Sequence, residues 1–366
     1  MNKSDIENLK QKFDSERMFD VIKDFPGQVK HAIEIGRQSP KFSSKPETNN
    51  IAILGMGGSA IGGSMLKSYF SALDGAGHLN INVFRNYRLP KHIDRTYSVL
   101  VCSYSGNTEE TLSAMEDARR VTEKIYCITS GGKLKSIAES GNLPVAIIPG
   151  GFQPRCALAY SIFPLIYIFI NNGLISRESI STTENAIEEL EPLLAKRAAE
   201  YSDFNSPENK ALNLAKNLFR TIPVIYSAEE RLDSINIRWR NQIQENAKNP
   251  AFGGFLPEMN HNEVNGWTIT ENGLPLSAVS NFSAIILRDA ADNPRISLRY
   301  EFLRSILNGK VKDIIELEGE GKHLLTRMID LVYLADWVSY YLALLNKTNP
   351  TPIPMITDLK KLLEQN

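Results

Sequence analysis

The stretch Tyr97-Ser98-Val99-Leu100-Val101-Cys102-Ser103-Tyr104-Ser105-Gly106-Asn107-Thr108-Glu109-Glu110-Thr111 decides the fold of this chain. An apolar run ends in a short turn of hydroxyl residues around a glycine, and a helical pattern follows at once. A strand that passes through a tight turn into a helix is the first half of a βαβ unit. The stretch therefore predicts an α/β protein with a parallel sheet.

The same alternation of patterns continues on both sides of this stretch. Apolar runs predict strands over 51–54, 80–84, 98–102, 125–129, 145–148, 224–227, 284–287 and 311–317. Helical patterns lie between and after them, over 61–71, 109–124, 232–247, 300–307, 324–345 and 356–363. Strands that alternate with helices predict a doubly wound, mainly parallel sheet flanked by helices, once in each half of the chain.

Shifts in pattern predict the domain organisation. We expect an N-terminal helical segment over 1–49, a first α/β domain over 50–177, a charged helical linker over 178–220 and a second α/β domain with a C-terminal helix over 221–366. A chain of 366 residues is long enough for two domains, each with its own hydrophobic core.

Composition argues against several classes of protein. The net charge of -1 gives no sign of a nucleic-acid partner. The cysteines Cys102, Cys127 and Cys156 are odd in number and far apart, which predicts buried thiols in a reducing compartment. The most apolar window, 157–170, is too short to span a bilayer, and the N-terminus lacks an apolar signal region. We expect a cytoplasmic protein without a membrane, nucleic-acid or metal partner.

The hydroxyl turn after the apolar run is a candidate anion site. Ser103, Ser105 and Thr108 crowd the point where a strand gives way to a helix. Free backbone N–H groups and the helix dipole favour an anion there, and neutral hydroxyls add donors without adding charge. The turn can hold one phosphate monoester. An ordinary helix N-cap within a polar turn is the alternative, since serine and threonine are common capping residues.

A glycine loop follows the first predicted strand and has two interpretations. In the first, the backbone of the loop lies beside a sugar phosphate, and Ser59 provides a further hydroxyl. Alternatively, Gly55, Gly57 and Ala60 satisfy a dinucleotide-binding fingerprint. That fingerprint expects an acidic residue at the end of the second strand, where this chain has Arg85, which could suit a 2′-phosphate.

A polar cluster in the second half contains candidate acid–base groups. Glu245 lies at the end of a predicted helix, where a carboxylate in a pocket can take a carbon-bound proton. His261 follows in a segment rich in asparagine and glutamate, and an imidazole can exchange a proton with a sugar ring oxygen. A solvated helix-end charge and a satisfied surface histidine are the alternatives.

Six motifs together resemble one family. They are Gly57-Gly58-Ser59, Ser103–Thr111, Thr129-Ser130-Gly131-Gly132, Pro154-Arg155, Glu245–Ala251 and Pro257–Glu263, in this order. From about residue 50 to the C-terminus the chain resembles the bifunctional phosphoglucose/phosphomannose isomerases, a family of sugar isomerase (SIS) domain proteins. The resemblance implies two SIS domains in one subunit, a homodimer, and metal-free isomerisation without a cofactor. The substrates would be glucose 6-phosphate, mannose 6-phosphate and fructose 6-phosphate.

The resemblance also implies roles for individual residues. The substrate phosphate would be held by Gly57, Gly58, Ser59, Ser103, Ser105 and Thr108. Glu245 would move a proton between C1 and C2 through a cis-enediolate, and Arg155 would stabilise that enediolate. His261 would assist ring opening from the neighbouring subunit. A C-terminal lysine would join the site, and Lys360 matches it better than Lys361 because it follows the short apolar run.

Three other functions stay open at this point. The chain could be a SIS isomerase for a pentose or amino-sugar phosphate, which substrate profiling would reveal. It could be a non-catalytic SIS module that binds a sugar phosphate without turnover. A nucleotide-dependent dehydrogenase, based on the glycine loop, would change nicotinamide absorbance with its substrate. The N-terminal segment and residues 178–220 are longer than the corresponding parts of the leaner family members. The relative activity toward the different sugar phosphates therefore stays open.

Overall fold

A computed structural model describes residues 3–43, 48–270 and 273–365 of the chain. The chain divides into two compact units, which we name by their sheets. The first-sheet unit comprises Asp24–Leu194 and Gly321–Thr326, and the second-sheet unit comprises Met1–Lys23, Ala195–Glu320 and Arg327–Asn366. Part of the N-terminal segment, around Pro46, lies outside the described residues. The domain boundaries given above stay predictions.

The strands form two parallel sheets, as the alternating patterns predict. The strands of the first sheet are β1 (Asn50–Leu54), β2 (Asn80–Phe84), β3 (Ser98–Cys102), β4 (Ile125–Thr129) and β5 (Val145–Ile147), in the order β2-β1-β3-β4-β5. The strands of the second sheet are β6 (Ile222–Ala228), β7 (Phe252–Leu256), β8 (Phe282–Arg288) and β9 (Asp313–Glu318), in the order β7-β6-β8-β9. The predicted α/β class with two parallel sheets is confirmed.

The helices are numbered in chain order, and the first three precede β1. They are α1 (Lys3–Phe13), α2 (Met18–Lys23), α3 (Phe25–Gln38), α4 (Gly57–Ser71), α5 (Glu109–Ala118), α6 (Gly132–Ser140), α7 (Leu158–Asn171), α8 (Arg177–Ser202), α9 (Lys210–Leu218), α10 (Asp233–Ala247), α11 (Leu276–Val279), α12 (Pro294–Leu307), α13 (Leu324–Leu345) and α14 (Pro354–Glu364). Short 3-10 turns cover Pro154–Cys156, Glu258–His261 and Glu263–Trp267.

Each unit has its own hydrophobic core beside its sheet. In the first-sheet unit, Val99 and Val101 of β3 are buried together with Met115 of α5. In the second-sheet unit, Ile286 of β8 packs in a cluster with Leu303 of α12. Every residue of β3 and of β4 is buried, which is the pattern of a parallel sheet covered on both faces.

The most apolar long helix belongs to a core rather than to a membrane. Helix α13 is long and apolar enough to cross a bilayer by length and composition alone. All of its most apolar window is buried by the protein itself. The helix carries large aromatic side chains without exposure, among them Trp337 and Tyr341. We therefore assign α13 to the core of the fold.

The cysteines are free and buried, as predicted. Burial raises the pKa of the Cys127 thiol to about 12 and also raises the pKa of Cys102. Both thiols therefore stay protonated at neutral pH, and they behave as small apolar core groups.

Several elements differ from their predicted ranges, and two of these differences have a clear physical cause. Helix α5 ends at Ala118 instead of 124, because the chain must return to the sheet: Thr122 donates its hydroxyl to Tyr97 O at 3.0 Å, and Val99 N donates to Lys124 O at 2.8 Å. Strand β7 was not predicted, and it lies between Glu245 and His261 in the polar cluster of the second half. It is an edge strand with two glycines, so it lacks the β-branched pattern that identifies a strand.

Candidate active site

The hydroxyl turn lies between β3 and α5, at the carboxyl edge of the first sheet. Ser103 and Thr108 share a hydrogen bond between their hydroxyl oxygens at 2.9 Å. Ser103 is buried, Thr108 is half-buried and Ser105 is exposed. Thr108 occupies the N-cap position of α5, but within the described residues its side chain makes no capping hydrogen bond. The hydroxyl is therefore directed into the turn, and simple capping does not account for it.

The glycine loop between β1 and α4 contacts this turn directly. The Ser59 hydroxyl accepts a hydrogen bond from Tyr104 N at 3.1 Å. β1 and β3 are neighbours in the sheet, and the strand order reverses between them. Such a switch point opens a crevice at the carboxyl ends of the strands, where ligands bind in open α/β sheets. The two candidate phosphate loops thus meet where the fold leaves room for a ligand.

A third segment packs against the hydroxyl turn and supports it. Gly106 has a φ of +69°, and a Cβ there would lie 1.8 Å from Gly131 O. Leu134 N donates to Gly106 O at 2.9 Å, and the Ser130 hydroxyl donates to Tyr104 O at 2.7 Å. The sequence Thr129–Gly132 is therefore a support for the turn. This motif contributes to the family resemblance, but its residues alone do not indicate that it supports the turn.

Arg155 lies in the same unit as the phosphate candidates. It is buried within the 3-10 turn Pro154–Cys156 and donates to Gln153 Oε1 at 3.5 Å. A Cβ on Gly58 would lie 2.8 Å from Pro154 O, so this turn approaches the first turn of α4 closely. A fixed positive charge thus belongs to the unit that carries the anion-binding loops.

A cavity of about 10 Å³ lies beside these loops, with room for roughly one water molecule. Its lining includes Ser59, Ser103, Tyr104 and Tyr160. The Tyr104 hydroxyl accepts from Phe152 N at 2.9 Å, and burial raises the pKa of both tyrosines. Sequence reasoning missed the two tyrosines. Tyr104 stands inside the motif, whereas Tyr160 is hidden in an apolar window that gives no signal.

Glu245 belongs to the second-sheet unit, in the last turn of α10. Lys248 has a φ of +52° and ends the helix, and its Nζ donates to Glu245 O at 2.8 Å and to Pro350 O at 3.1 Å. Asn246 donates from Nδ2 to Ser339 Oγ at 3.0 Å in the core. The backbone on both sides of Glu245 is thus fixed, and its half-buried carboxylate lies at a rigid helix end.

The remaining two candidates are exposed in the second-sheet unit. His261 ends the 3-10 turn Glu258–His261 that follows β7. Lys360 lies on α14, where neighbouring Lys361 pairs with Asp358 at 3.5 Å. Among the residues that the structure describes, no group of His, Cys, Asp or Glu side chains is placed to hold a metal ion.

Comparison with known proteins agrees with the motifs. A model of the bacterial phospho-glucose isomerase C-terminal SIS domain matches residues 207–363. A bifunctional phosphoglucose/phosphomannose isomerase from Caldicellulosiruptor bescii is 37% identical over 95% of this chain and 99% of that protein. Its counterpart from Aquifex aeolicus is 36% identical over 86% of this chain and 91% of that protein.

The chain belongs to the bifunctional phosphoglucose/phosphomannose isomerase family. A solved structure agrees on the fold: a glucose-6-phosphate isomerase like protein from Thermus thermophilus superposes with a TM-score of 0.63. It is 14% identical and covers 97% of this chain and 100% of that one. The predicted family is confirmed.

The predicted site residues of this family member divide between its two units. The first-sheet unit holds the phosphate candidates and Arg155, and the second-sheet unit holds Glu245, His261 and Lys360. The last three lie within the part matched by the C-terminal SIS domain. Arg85 donates to Ser64 Oγ at 2.5 Å and to Ala60 O at 3.5 Å, so the guanidinium is bound to α4.

Proposed function

We propose that this protein interconverts glucose 6-phosphate and mannose 6-phosphate with fructose 6-phosphate, as the names of its relatives indicate for them. The observation that carries the proposal is the hydroxyl turn. Ser103 and Thr108 direct their hydroxyls toward each other beside Ser59, at the switch point of a parallel sheet. This arrangement suits a phosphate monoester, which every one of these sugars carries.

The phosphate provides the anchor for the substrate. The hydroxyls of Ser59, Ser103, Ser105 and Thr108 donate to its oxygens, and Gly57 and Gly58 place backbone beside it. The N-termini of α4 and α5 add favourable dipoles. Anchoring one end of an open-chain sugar fixes the position of C1 and C2, and such orientation can lower the barrier by several kcal/mol.

The proton transfer is assigned to Glu245. Its carboxylate takes the proton from C2 and returns it to C1 through a cis-enediolate, so one base serves both steps. Loss of stereochemical control at C2 lets both aldoses yield the same ketose. Arg155 stabilises the negative charge of the enediolate, because a guanidinium stays charged and donates in a planar fork.

The remaining residues act on the ring and on assembly. His261 exchanges a proton with the ring oxygen during ring opening, and in a homodimer it reaches the site of the neighbouring subunit. Its exposed position at the end of a 3-10 turn supports such a role. Lys360 joins the site from α14. The reaction needs no metal or cofactor, and the buried thiols are consistent with a cytoplasmic location.

The decisive experiment follows fructose 6-phosphate by NMR with the purified, EDTA-treated protein. We expect glucose 6-phosphate and mannose 6-phosphate to form together. Glucose 6-phosphate alone would narrow the specificity and keep the mechanism. Tight binding without conversion would identify a sugar-phosphate sensor, and conversion of only a pentose or amino-sugar phosphate would identify another SIS isomerase.

Glu245→Gln tests the proposed base. We expect this variant to bind sugar phosphate normally and to lose turnover by about 10²–10⁴-fold, the usual contribution of a general base. Glu301→Gln is the matched control, because Glu301 is an exposed carboxylate on α12 and should leave turnover unchanged. Near wild-type turnover of Glu245→Gln would exclude the assignment.

A further inference from the structure

The segment that carries His261 is fixed to the centre of the second sheet by a buried tyrosine. Tyr226 lies on β6 without solvent exposure. Its hydroxyl donates to Glu263 Oε1 at 2.7 Å and accepts from Trp267 Nε1 at 2.9 Å. One hydroxyl thus holds both ends of the 3-10 turn Glu263–Trp267, which begins two residues after His261.

The carboxylate of Glu263 has a defined place beside β7. A Cβ on Gly254 would lie 2.6 Å from Glu263 Oε2, so glycine makes room for the carboxylate against the strand. Arg240 lies nearby: burial lowers its pKa, and the negative charge of Glu263 opposes that shift. Burial raises the pKa of Tyr226, and its hydrogen bond to the carboxylate raises it further. Tyr226 therefore stays a donor at all working pH values.

Two further contacts hold the same segment. Arg299 donates from Nη1 to Asn260 Oδ1 at 3.0 Å, directly before His261. Lys310 donates from Nζ to Trp267 O at 2.8 Å. The exposed imidazole is therefore presented between anchored neighbours on both sides. A histidine that must meet a ring oxygen needs a fixed position, because a small displacement of a catalytic group lowers the rate strongly.

We propose that Glu263 and Tyr226 are positioning residues for His261, and that their hydrogen bond sets the rate of sugar ring opening. The inference rests on the proposed function, in which His261 is the ring-opening group. Glu263 acts through the loop and not on the sugar. A hydrogen bond to a carboxylate is about twice as strong as one between neutral groups, so glutamine at this position keeps the shape and weakens the anchor.

The test separates ring opening from isomerisation. In the Glu245→Gln background no proton moves between C1 and C2, but the enzyme still opens and closes the ring. Exchange NMR then measures the enzyme-catalysed interconversion of the two anomers of glucose 6-phosphate. We expect Glu263→Gln to lower this rate about tenfold, a part of the 10²–10⁴-fold that a general acid–base group supplies. The binding affinity for glucose 6-phosphate should not change.

Two additional variants keep the test specific. Glu258→Gln is the matched control, because this exposed carboxylate lies in the neighbouring turn and accepts from Asn262 Nδ2 at 3.2 Å, a bond that a glutamine oxygen can also accept. It should leave the anomer exchange rate unchanged. Tyr226→Phe removes this hydrogen bond together with the one from Trp267 Nε1, so it should lower the anomer exchange rate at least as much as Glu263→Gln. It also keeps the test available if Glu263→Gln fails to fold.

Combination with His261→Ala decides whether Glu263 acts through the histidine. We expect Glu263→Gln to have no further effect on anomer exchange once His261 is gone, because residues that act as a unit are non-additive. Additive losses, or normal exchange in Glu263→Gln and Tyr226→Phe while His261→Ala is slow, would overturn the inference and leave the proposed function standing. Normal exchange in His261→Ala itself would refute the ring-opening role and the inference together.

Discussion

The two sheets of this protein share a strand order but differ in the residues at their switch points, where that order reverses. Within the described residues, both follow the order second, first, third, fourth, and the first sheet adds β5. Between β1 and β3 the following loops are rich in glycine and hydroxyl groups. Between β6 and β8 the chain fills the corresponding crevice with its own side chains.

The closed crevice is bridged by Tyr300 of α12. Its hydroxyl accepts from Ala228 N at 2.7 Å and donates to Leu287 O at 3.0 Å, which joins the ends of β6 and β8. Behind it, Arg327 binds the buried Asp289 through Nε at 2.6 Å and Nη2 at 3.1 Å. Tyr300 and Asp289 there are engaged by other groups of the protein, whereas the hydroxyls of Ser103 and Thr108 after β3 are neutral and closely spaced.

The comparison shows that the parallel fold offers a switch point twice and that only the first is lined by neutral hydroxyl and glycine loops. The fold supplies a crevice wherever strand order reverses, but the loop residues decide whether it stays open. The second crevice carries carboxylates, Asp289 and Asp292, where the first carries Ser103 and Ser105. Asp289 is already paired with Arg327 and Arg231, so its charge serves contacts within the protein.

Asp289→Asn should have the largest effect on this contrast. The variant removes one charge of the buried Asp289–Arg327 ion pair, which costs about 3–5 kcal/mol in the free energy of unfolding. Urea denaturation measures the loss. Glu301→Gln breaks an exposed contact to Arg288 and should cost less than about 1 kcal/mol. Equal losses in the two variants would show that the second crevice is not held by this pair.

Gly106→Ala tests the support of the open crevice. The left-handed conformation costs an alanine about 1–2 kcal/mol, and the clash with Gly131 O adds about 1–3 kcal/mol. Gly309→Ala is the control. Gly309 has a φ of +72° with open space beside it, so alanine there should cost only the strain of the left-handed conformation and no clash. We also expect a raised KM for sugar phosphate in Gly106→Ala. A KM equal to that of the control would show that the conformation of this turn does not affect phosphate binding.

Tyr300→Phe tests the bridge of the closed crevice. The variant leaves Ala228 N without its acceptor, and a buried unsatisfied donor costs about 1–3 kcal/mol. Thermal or urea unfolding measures the change, with Tyr87→Phe as an exposed tyrosine control. The KM for sugar phosphate should stay at the wild-type value. A stability equal to that of the control would mean that the crevice closes without this hydroxyl.

Ser105→Ala should have the smallest effect, confined to substrate binding. Loss of one phosphate contact raises KM about tenfold, or about 1.4 kcal/mol, and leaves kcat nearly unchanged, because the contact is common to ground and transition states. Ser305→Ala on α12 is the control, since that hydroxyl donates only to Phe302 O of its own helix among its hydrogen bonds in the described residues. Steady-state kinetics distinguish the two. An unchanged KM in Ser105→Ala would count against the phosphate role.

The local patterns allowed much of the fold to be predicted, and the misses have physical causes. The predicted ranges of β2, β3 and β4 agree with the structure, because β3 and β4 are largely apolar runs and β2 alternates polar and apolar residues, each between turn signals. Strand β7 was missed since its glycines are tolerated only at an edge. Helix α7 continues through Pro164, because apolar packing compensates for the missing hydrogen bond.

The sequence by itself determined the class of the fold, the hydroxyl and glycine loops, and the family through the order of its motifs. Only the tertiary structure decided which residues support those loops. The support of the turn by Gly131, the bridge of Tyr300 and the anchoring of Glu263 by Tyr226 join residues that lie 25, 72 and 37 positions apart. Such pairings depend on which strands become neighbours, and no local pattern in the chain encodes that choice.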